Sequence, residues 1–347
     1  MHNSYKEIFG QGATLSRTYE YMTSKREEIV KFINEYKPGE IVFIACGSSY
    51  WLSLSAALTI QRETGIRCSA VKSGDIVLDP ACYARAYSRP LVIAPSRSGR
   101  TTETLIAVEK MKEWYKCPVI TLTEYEECPI LNLSDLKLEI PWVNEISICQ
   151  TRSFSNLYMS CIMIAAFLSD NNKILTDIKH YIDSFDKLSA KAEDIVKKII
   201  REDFPDYKKL VVLGSGCQYG VACEGAYIVI EMAEFLSSYF GVLEYRHGPI
   251  VTADKDTLVA LFSNGDENRH ECKMLVEIRQ NGSKVLALSA NKQYNEADWN
   301  LSMGMDVGHE TAALYGIMVM QGMAYYKALE RGVNPDSPGE LVPFIEL

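Results

Sequence analysis

Leu91-Val92-Ile93-Ala94-Pro95-Ser96-Arg97-Ser98-Gly99-Arg100-Thr101-Thr102-Glu103-Thr104 carries a short β-branched run into a hydroxyl-rich loop and out into a helical pattern over 105–114. A strand that feeds a helix through a tight turn is the repeating unit of a parallel sheet. A helix starting here points unpaired N–H groups and its positive dipole end at the loop, which suits an anion such as phosphate. Ser96, Ser98 and Thr101 add hydroxyl donors, and Gly99 lets the backbone come close. The same residues also suit an ordinary helix start, because Ser and Thr favour the N-cap. On this stretch alone, the phosphate loop and the plain cap remain alternatives.

The neighbouring sequence has the same rhythm. Further strand patterns fall at 41–46, 68–72, 118–123 and 136–140, separated by longer helical patterns. Such alternation predicts a parallel sheet with helices on both faces. A polar helix-forming arm over 8–36 precedes the first strand, and an apolar helix over 155–168 closes this half. A charged amphipathic helix over 177–202 reads as a connector, after which a new strand begins at Lys209-Leu210-Val211-Val212-Leu213. Gly47 and Ser96, which end two strands of the first half, lie 49 positions apart (47 to 96), as do Gly214 and Ser263 in the second (214 to 263). The next strand ends at Thr123 and Ser289, 27 and 26 positions on. Internal duplication explains both spacings. The fold class expected is therefore α/β, two doubly wound parallel-sheet domains in tandem. A last helix is expected over 311–329, followed by a proline-rich tail over 332–347 that must lie extended on something.

Composition agrees with two cores. The chain has 347 residues, more than one hydrophobic core usually serves. It is 47% hydrophobic and 23% charged, with mean hydropathy −0.07, as in ordinary globular domains. No apolar run approaches the roughly 18–20 residues of a spanning helix, and the start Met1-His2-Asn3-Ser4-Tyr5 is polar, so no membrane and a cytoplasmic location are expected. The net charge of −9 argues against a nucleic-acid surface. The ten cysteines show no Cys-x-x-Cys pair and read as buried thiols, and the five histidines lack metal-ligand spacing. No metal or cofactor is expected. An anionic ligand must then be met by a local device, and the duplicated loop supplies a contrast. Its second copy, Ser263-Asn264-Gly265-Asp266-Glu267, places carboxylates where an anion would sit, so one phosphate site per chain is expected.

Three clusters together carry a family resemblance. They are Cys46-Gly47-Ser48-Ser49, Ser96-x-Ser98-Gly99-x-Thr101, and Glu224-Gly225-Ala226 followed by Glu231 and Glu244-Tyr245-Arg246-His247-Gly248-Pro249. The chain resembles the tandem sugar-isomerase (SIS) domain proteins, which include the isomerase half of glucosamine-6-phosphate synthase and the fructosamine-6-phosphate deglycases. The resemblance implies two flavodoxin-like domains, the first over 20–172 and the second over 195–332, with an N-terminal arm (1–19) and a C-terminal tail (333–347). It implies a phosphosugar held by Gly47, Ser48, Ser49, Ser96, Arg97, Ser98 and Thr101. Gln150 is a weaker candidate, in a stretch resembling the family's Ala-Ser-Thr-Lys segment, where Arg152 replaces the lysine. Arg97 and Arg100 either pair with the phosphate or a substrate carboxylate, or face solvent.

Glu231 and His247 are the catalytic candidates that the resemblance names. Glu231 sits in an apolar stretch, Ile228-Val229-Ile230-Glu231-Met232-Ala233, where a lone carboxylate is usually paired or functional. On the residues alone, His247 reads as a turn residue before Gly248-Pro249. The synthase has a lysine where this chain has Ile228, and a second one in its tail, where this chain has Glu340-Leu341-Val342-Pro343. Without those amines the resemblance points to the deglycases. Glu231 would remove a C1 proton from a 6-phospho-fructosamine to give an enaminol, and the resulting imine would hydrolyse to glucose 6-phosphate and free amine. His247 would open the ring and shuttle a proton. In this family the histidine is thought to come from a neighbouring subunit, so a homodimer or higher assembly with a shared site is implied. The alternatives are an aldose–ketose phosphosugar isomerase using the same base and a non-catalytic phosphosugar-binding protein.

Overall fold

The computed structural model describes residues 1–265 and 269–345, and shows two compact units that exchange short segments of chain. One comprises 13–145, 152–176 and 342–347, and is called the N-terminal unit below; the other comprises 1–12, 146–151 and 177–341. The first 36 residues form three helices, α1 (Asn3–Phe9), α2 (Gly12–Ser24) and α3 (Arg26–Tyr36), where the sequence reads as one arm.

The N-terminal unit then runs β1 (Glu40–Ala45), α4 (Gly47–Thr64), β2 (Arg67–Lys72), α5 (Ser73–Leu78), β3 (Pro90–Pro95), α6 (Thr102–Tyr115), β4 (Val119–Thr123), β5 (Leu136–Glu139) and α7 (Arg152–Ser169). All five strands pair in parallel in the order β2-β1-β3-β4-β5. Every residue of β1, β3 and β4 is buried, which is why these strands read as unbroken apolar runs; a sheet covered on both faces leaves no polar side. The edge strand β5 alternates instead and exposes Lys137, a charge that discourages pairing with another edge. Helix α7 is buried from Ser153 to Phe167, so its apolar pattern runs all round rather than along one face.

The link between halves is not a single helix. It breaks at Ser184 into α8 (Asn172–Asp183) and α9 (Phe185–Lys198), and a π turn (Ile199–Asp203) follows. The C-terminal unit repeats the pattern with β6 (Lys209–Gly214), α10 (Tyr219–Ala233), β7 (Ser237–Gly241), β8 (Thr257–Phe262), α11 (Arg269–Gln280), β9 (Lys284–Ser289), β10 (Trp299–Ser302) and α12 (His309–Arg331). Its sheet, also parallel, has the order β10-β9-β8-β6-β7, which is the first order read from the other edge. Chain order and strand order thus repeat together. The duplication inferred from one equal and one nearly equal spacing is a duplication of topology. The fold is α/β with two doubly wound five-stranded parallel sheets. No helix among the described residues is long and apolar enough to cross a membrane.

Candidate functional site

In an open parallel sheet, ligands bind beyond the carboxyl ends of the strands, where the strand order reverses. In the N-terminal unit that point lies between β1 and β3, and the loops leaving these strands are Cys46 to Ser49 and Ser96 to Thr101. The sequence-predicted residues Gly47, Ser48, Ser49, Ser96, Arg97, Ser98 and Thr101 are therefore gathered in one unit, on two neighbouring loops. A chain of side chains ties the loops together: Thr104 Oγ1 donates to Cys46 Sγ at 3.5 Å and lies 3.1 Å from Ser73 Oγ.

The phosphate-loop stretch folds as a compact turn. Ser96 Oγ accepts from Gly99 N (3.1 Å) and Ser98 Oγ accepts from Arg100 N (3.2 Å), so each hydroxyl uses a lone pair inside the loop and keeps its proton to donate. Gly99 has φ +61°, and a Cβ there would lie 2.3 Å from Cys128 Sγ, so both the backbone and the space require glycine. The N-cap of α6 is Thr101, whose hydroxyl makes no capping bond. The N-cap of α4 is Cys46, which puts Gly47, Ser48 and Ser49 in the first turn of that helix. The capping explanation for these hydroxyls is thereby weakened at Thr101, Ser48 and Ser49.

The two arginines part company. Arg100 is exposed and donates from Nη2 to Glu127 O (3.2 Å). Arg97 is buried, donates from Nη2 to Pro343 O of the tail (2.7 Å), and lies 3.8 Å from Glu145 Oε2 through Nη1. The tail also lends Ile345 O to Thr102 N, at the first residue of α6 (3.2 Å). Beside Arg97 stands Glu124, a buried carboxylate directly after β4. Its Oε2 accepts from Glu145 N at 3.4 Å. Burial first, and then the charge of Glu145, push Glu124 up to about 8. Sequence reading missed Glu124 and Glu145. The one available signal was a carboxylate at the carboxyl end of a predicted strand.

The second copy shows what a filled version of this loop looks like. Asp266 and Glu267, the carboxylates expected to repel an anion, lie outside the described residues. In the first turn of α11, after the exposed Arg269 and His270, Glu271 accepts from Asn264 N (2.9 Å), Ser263 Oγ (3.2 Å) and Tyr294 OH (2.7 Å). Glu271 lies eight positions after Ser263, as Thr104 lies eight positions after Ser96. The second loop thus carries its own carboxylate, where the first has a threonine.

In the C-terminal unit, Glu224-Gly225-Ala226 lies in α10, where Gly225 allows α10 to meet α12; a Cβ on it would lie 3.0 Å from Met320 Cγ and 3.3 Å from Phe262. Glu231 is half-buried on the last turn of α10. It is not enclosed by apolar neighbours on every side as its sequence context suggests, for Ile230 is 40% exposed. His247 is exposed and follows the short turn Glu244–Arg246, with its N–H on Glu244 O (2.9 Å). Arg246 anchors that turn by donating to Glu277 on α11 (Nε to Oε2 2.8 Å). Gln150 also belongs to this unit. Its segment is pinned by Ile148 N on Asp336 O and by Gln321 Nε2 on Thr151 O, and its own buried Oε1 has no partner among the described residues.

Known proteins bear directly on this arrangement. The chain is 28% identical to the glutamine–fructose-6-phosphate aminotransferase (isomerizing) of Sulfolobus acidocaldarius, over 98% of its own length and 56% of that protein. It is 26% identical to the enzyme of the same name from Methanosarcina acetivorans, over 98% of its own length and 57% of that protein. It therefore spans little more than half the length of these relatives. Among solved structures, glucosamine-6-phosphate deaminase from Thermotoga maritima matches with a TM-score of 0.81 and 29% identity, covering 99% of this chain and 100% of that one. Tagatose-6-phosphate ketose/aldose isomerase from Escherichia coli matches in fold with a TM-score of 0.86 and 23% identity, covering 99% and 97%. The SIS domain pattern matches twice, at 36–169 and 204–331, once on each sheet, and the chain belongs to the SIS domain family.

Proposed function

We propose that the chain is a phosphosugar enzyme of isomerase type, which moves a proton between C1 and C2 of an open-chain hexose 6-phosphate. The observation that carries this reading is the hydroxyl-lined start of α6. It stands at the reversal point of the first sheet with Thr101 uncommitted to capping, whereas the corresponding place in the second sheet is taken by Glu271. Ser96, Ser98, Thr101, Ser48 and Ser49 are assigned to the phosphate and adjacent oxygens, with Gly47 allowing close approach. The acid–base work falls to Glu231. Its carboxylate takes the proton from the carbon beside the carbonyl, a cis-enediol forms, and the same proton returns to the neighbouring carbon. His247 serves ring opening and proton movement at the sugar oxygens. The names of the relatives, an isomerizing aminotransferase and a glucosamine-6-phosphate deaminase, support chemistry at these two carbons.

A second reading keeps the same first step on a 6-phospho-fructosamine. There the C1 proton is lost, a proton returns at C2, and water cleaves the C1 imine to glucose 6-phosphate and an amine. Ile228, fully buried, and Pro343 favour it, since they stand where the synthase has lysines. Incubation with fructose 6-phosphate, glucosamine 6-phosphate and 6-phosphorylated fructosamines, with sugar and amine products measured separately, decides between them. Glu231→Gln is expected to lower kcat by about 10²–10⁴-fold with phosphosugar affinity nearly unchanged. Unchanged turnover in that variant would remove Glu231 from the mechanism, whereas binding of these sugars by the wild type without turnover of any of them would favour a binding protein.

A further inference from the structure

We propose that Lys72 sets the specificity of the site in the N-terminal unit, pairing its ammonium with a carboxylate at the end of the sugar remote from the phosphate. This rests on the reading of Ser96 to Thr101 as the phosphate loop. Strands β2, β1 and β3 are neighbours in the sheet and end level: Lys72 pairs with Ala45, the last residue of β1, and Phe43 pairs with Ile93, each two residues short of its strand's end. The segments that leave them are tied together. Ser73, directly after Lys72, has its hydroxyl 3.1 Å from that of Thr104 on α6, and Thr104 donates to Cys46 at the end of β1. Lys72 is exposed, and its Nζ stands 5.5 Å from the centre of the ring of Tyr50, the residue after Ser49.

The arginines of the loop are already engaged, Arg97 with Pro343 O and beside Glu145, and Arg100 with Glu127 O. Lys72 makes no ion pair among the described residues, and an aromatic face attracts its ammonium without using up its N–H donors. Neighbouring strands lie about 4.8 Å apart, so β2 is about 10 Å from β3, whose loop takes the phosphate. The group that meets Lys72 is therefore a second anion on the ligand, and one ammonium matches the single charge of a carboxylate. A 6-phospho-fructosamine built on an amino acid carries such a group. A plain hexose 6-phosphate has none, so Lys72 favours the second of the two substrate readings.

The test is calorimetric titration of the full chain with three sugar phosphates that lack a carbonyl and so cannot turn over: glucitol 6-phosphate, its 1-deoxy-1-methylamino derivative and its 1-deoxy-1-carboxymethylamino derivative. The last two differ only in the carboxylate. The wild type should bind the carboxymethylamino compound about fivefold more tightly than the methylamino one, the strength of one partly solvated ion pair, and the gap should shrink at high salt. Lys72→Met should close the gap with the affinity for glucitol 6-phosphate unchanged, and Lys72→Arg should keep it. Lys72 is exposed on an edge strand, so neither substitution disturbs the core. No gap in the wild type, or the same loss for all three ligands in Lys72→Met, overturns the proposal while the phosphate loop stands. No binding of any of the three overturns the phosphate loop itself and this inference with it.

Discussion

At the scale of single residues, the threonine that opens α6 separates the two readings of the loop. A threonine that caps a helix stabilises it by about 0.5–2 kcal/mol through its bond to a backbone N–H. Thr101 makes no such bond, so its hydroxyl contributes little to folding. Thr101→Val keeps the shape and removes the donor. The melting temperature should stay within a degree or two, while KM for the phosphosugar rises about tenfold or more at nearly constant kcat, since a bond to a charged partner is worth about 1.5–3 kcal/mol. A variant that melts early but binds normally would return Thr101 to the role of a cap. Sequence alone reached these residues because strand, glycine, hydroxyls and helix follow one another locally. It could not reach the Arg97–Glu145 pair, whose members lie 48 positions apart in the chain (97 to 145), and so left Arg97 between ligand and solvent.

Elements were legible to the extent that their pattern is local. All five strands of the first sheet fall within a residue or so of the expected ranges: full burial writes β1, β3 and β4 as continuous apolar runs, and the partly exposed edge strands β2 and β5 are short runs bounded by turn residues. The connector was misread as one helix because charged amphipathic sequence continues through Ser184, and the break there has no glycine or proline to announce it. Contact between helices is written more quietly still. The close meeting of α10 and α12 shows in the sequence only as Gly225 inside a motif, and the structure gives its reason in Met320 and Phe262. Gly225→Ala places a methyl 3.0 Å from Met320 Cγ, at the edge of what a flexible side chain can absorb, and Gly225→Val exceeds it. Denaturant titration should show a modest loss for alanine and about 1–3 kcal/mol or more for valine, the cost of overpacking a filled interior. Equal stability of all three proteins would mean that α10 and α12 do not meet as described.

For the molecule as a whole, duplication supplied two scaffolds and divergence gave them different loops: hydroxyls with an open threonine cap in one, Glu271 and its hydrogen bonds in the other. The half with Glu271 also carries Glu231 and His247, and around these two it exposes Ile230, Leu236, Leu243 and Val251, the last at 84%. Apolar side chains exposed along one stretch, beside residues assigned to chemistry, fit a surface covered by another copy of the chain. If Glu231 of one subunit works with His247 of its neighbour, complementation follows from the symmetry of a dimer. Glu231→Gln and His247→Ala chains are then each expected to be nearly inactive alone. In a mixed dimer one site receives both substitutions and the other receives neither. Random reassociation of equal amounts makes half of the dimers mixed, so about a quarter of the wild-type activity per site should return. Sites built within one subunit would carry one lesion each in the mixed dimer, and mixing would restore nothing. Activity after co-denaturation and refolding, read against each variant refolded alone, distinguishes the two arrangements. Light scattering on the same samples should give at least twice the 39.0 kDa chain mass.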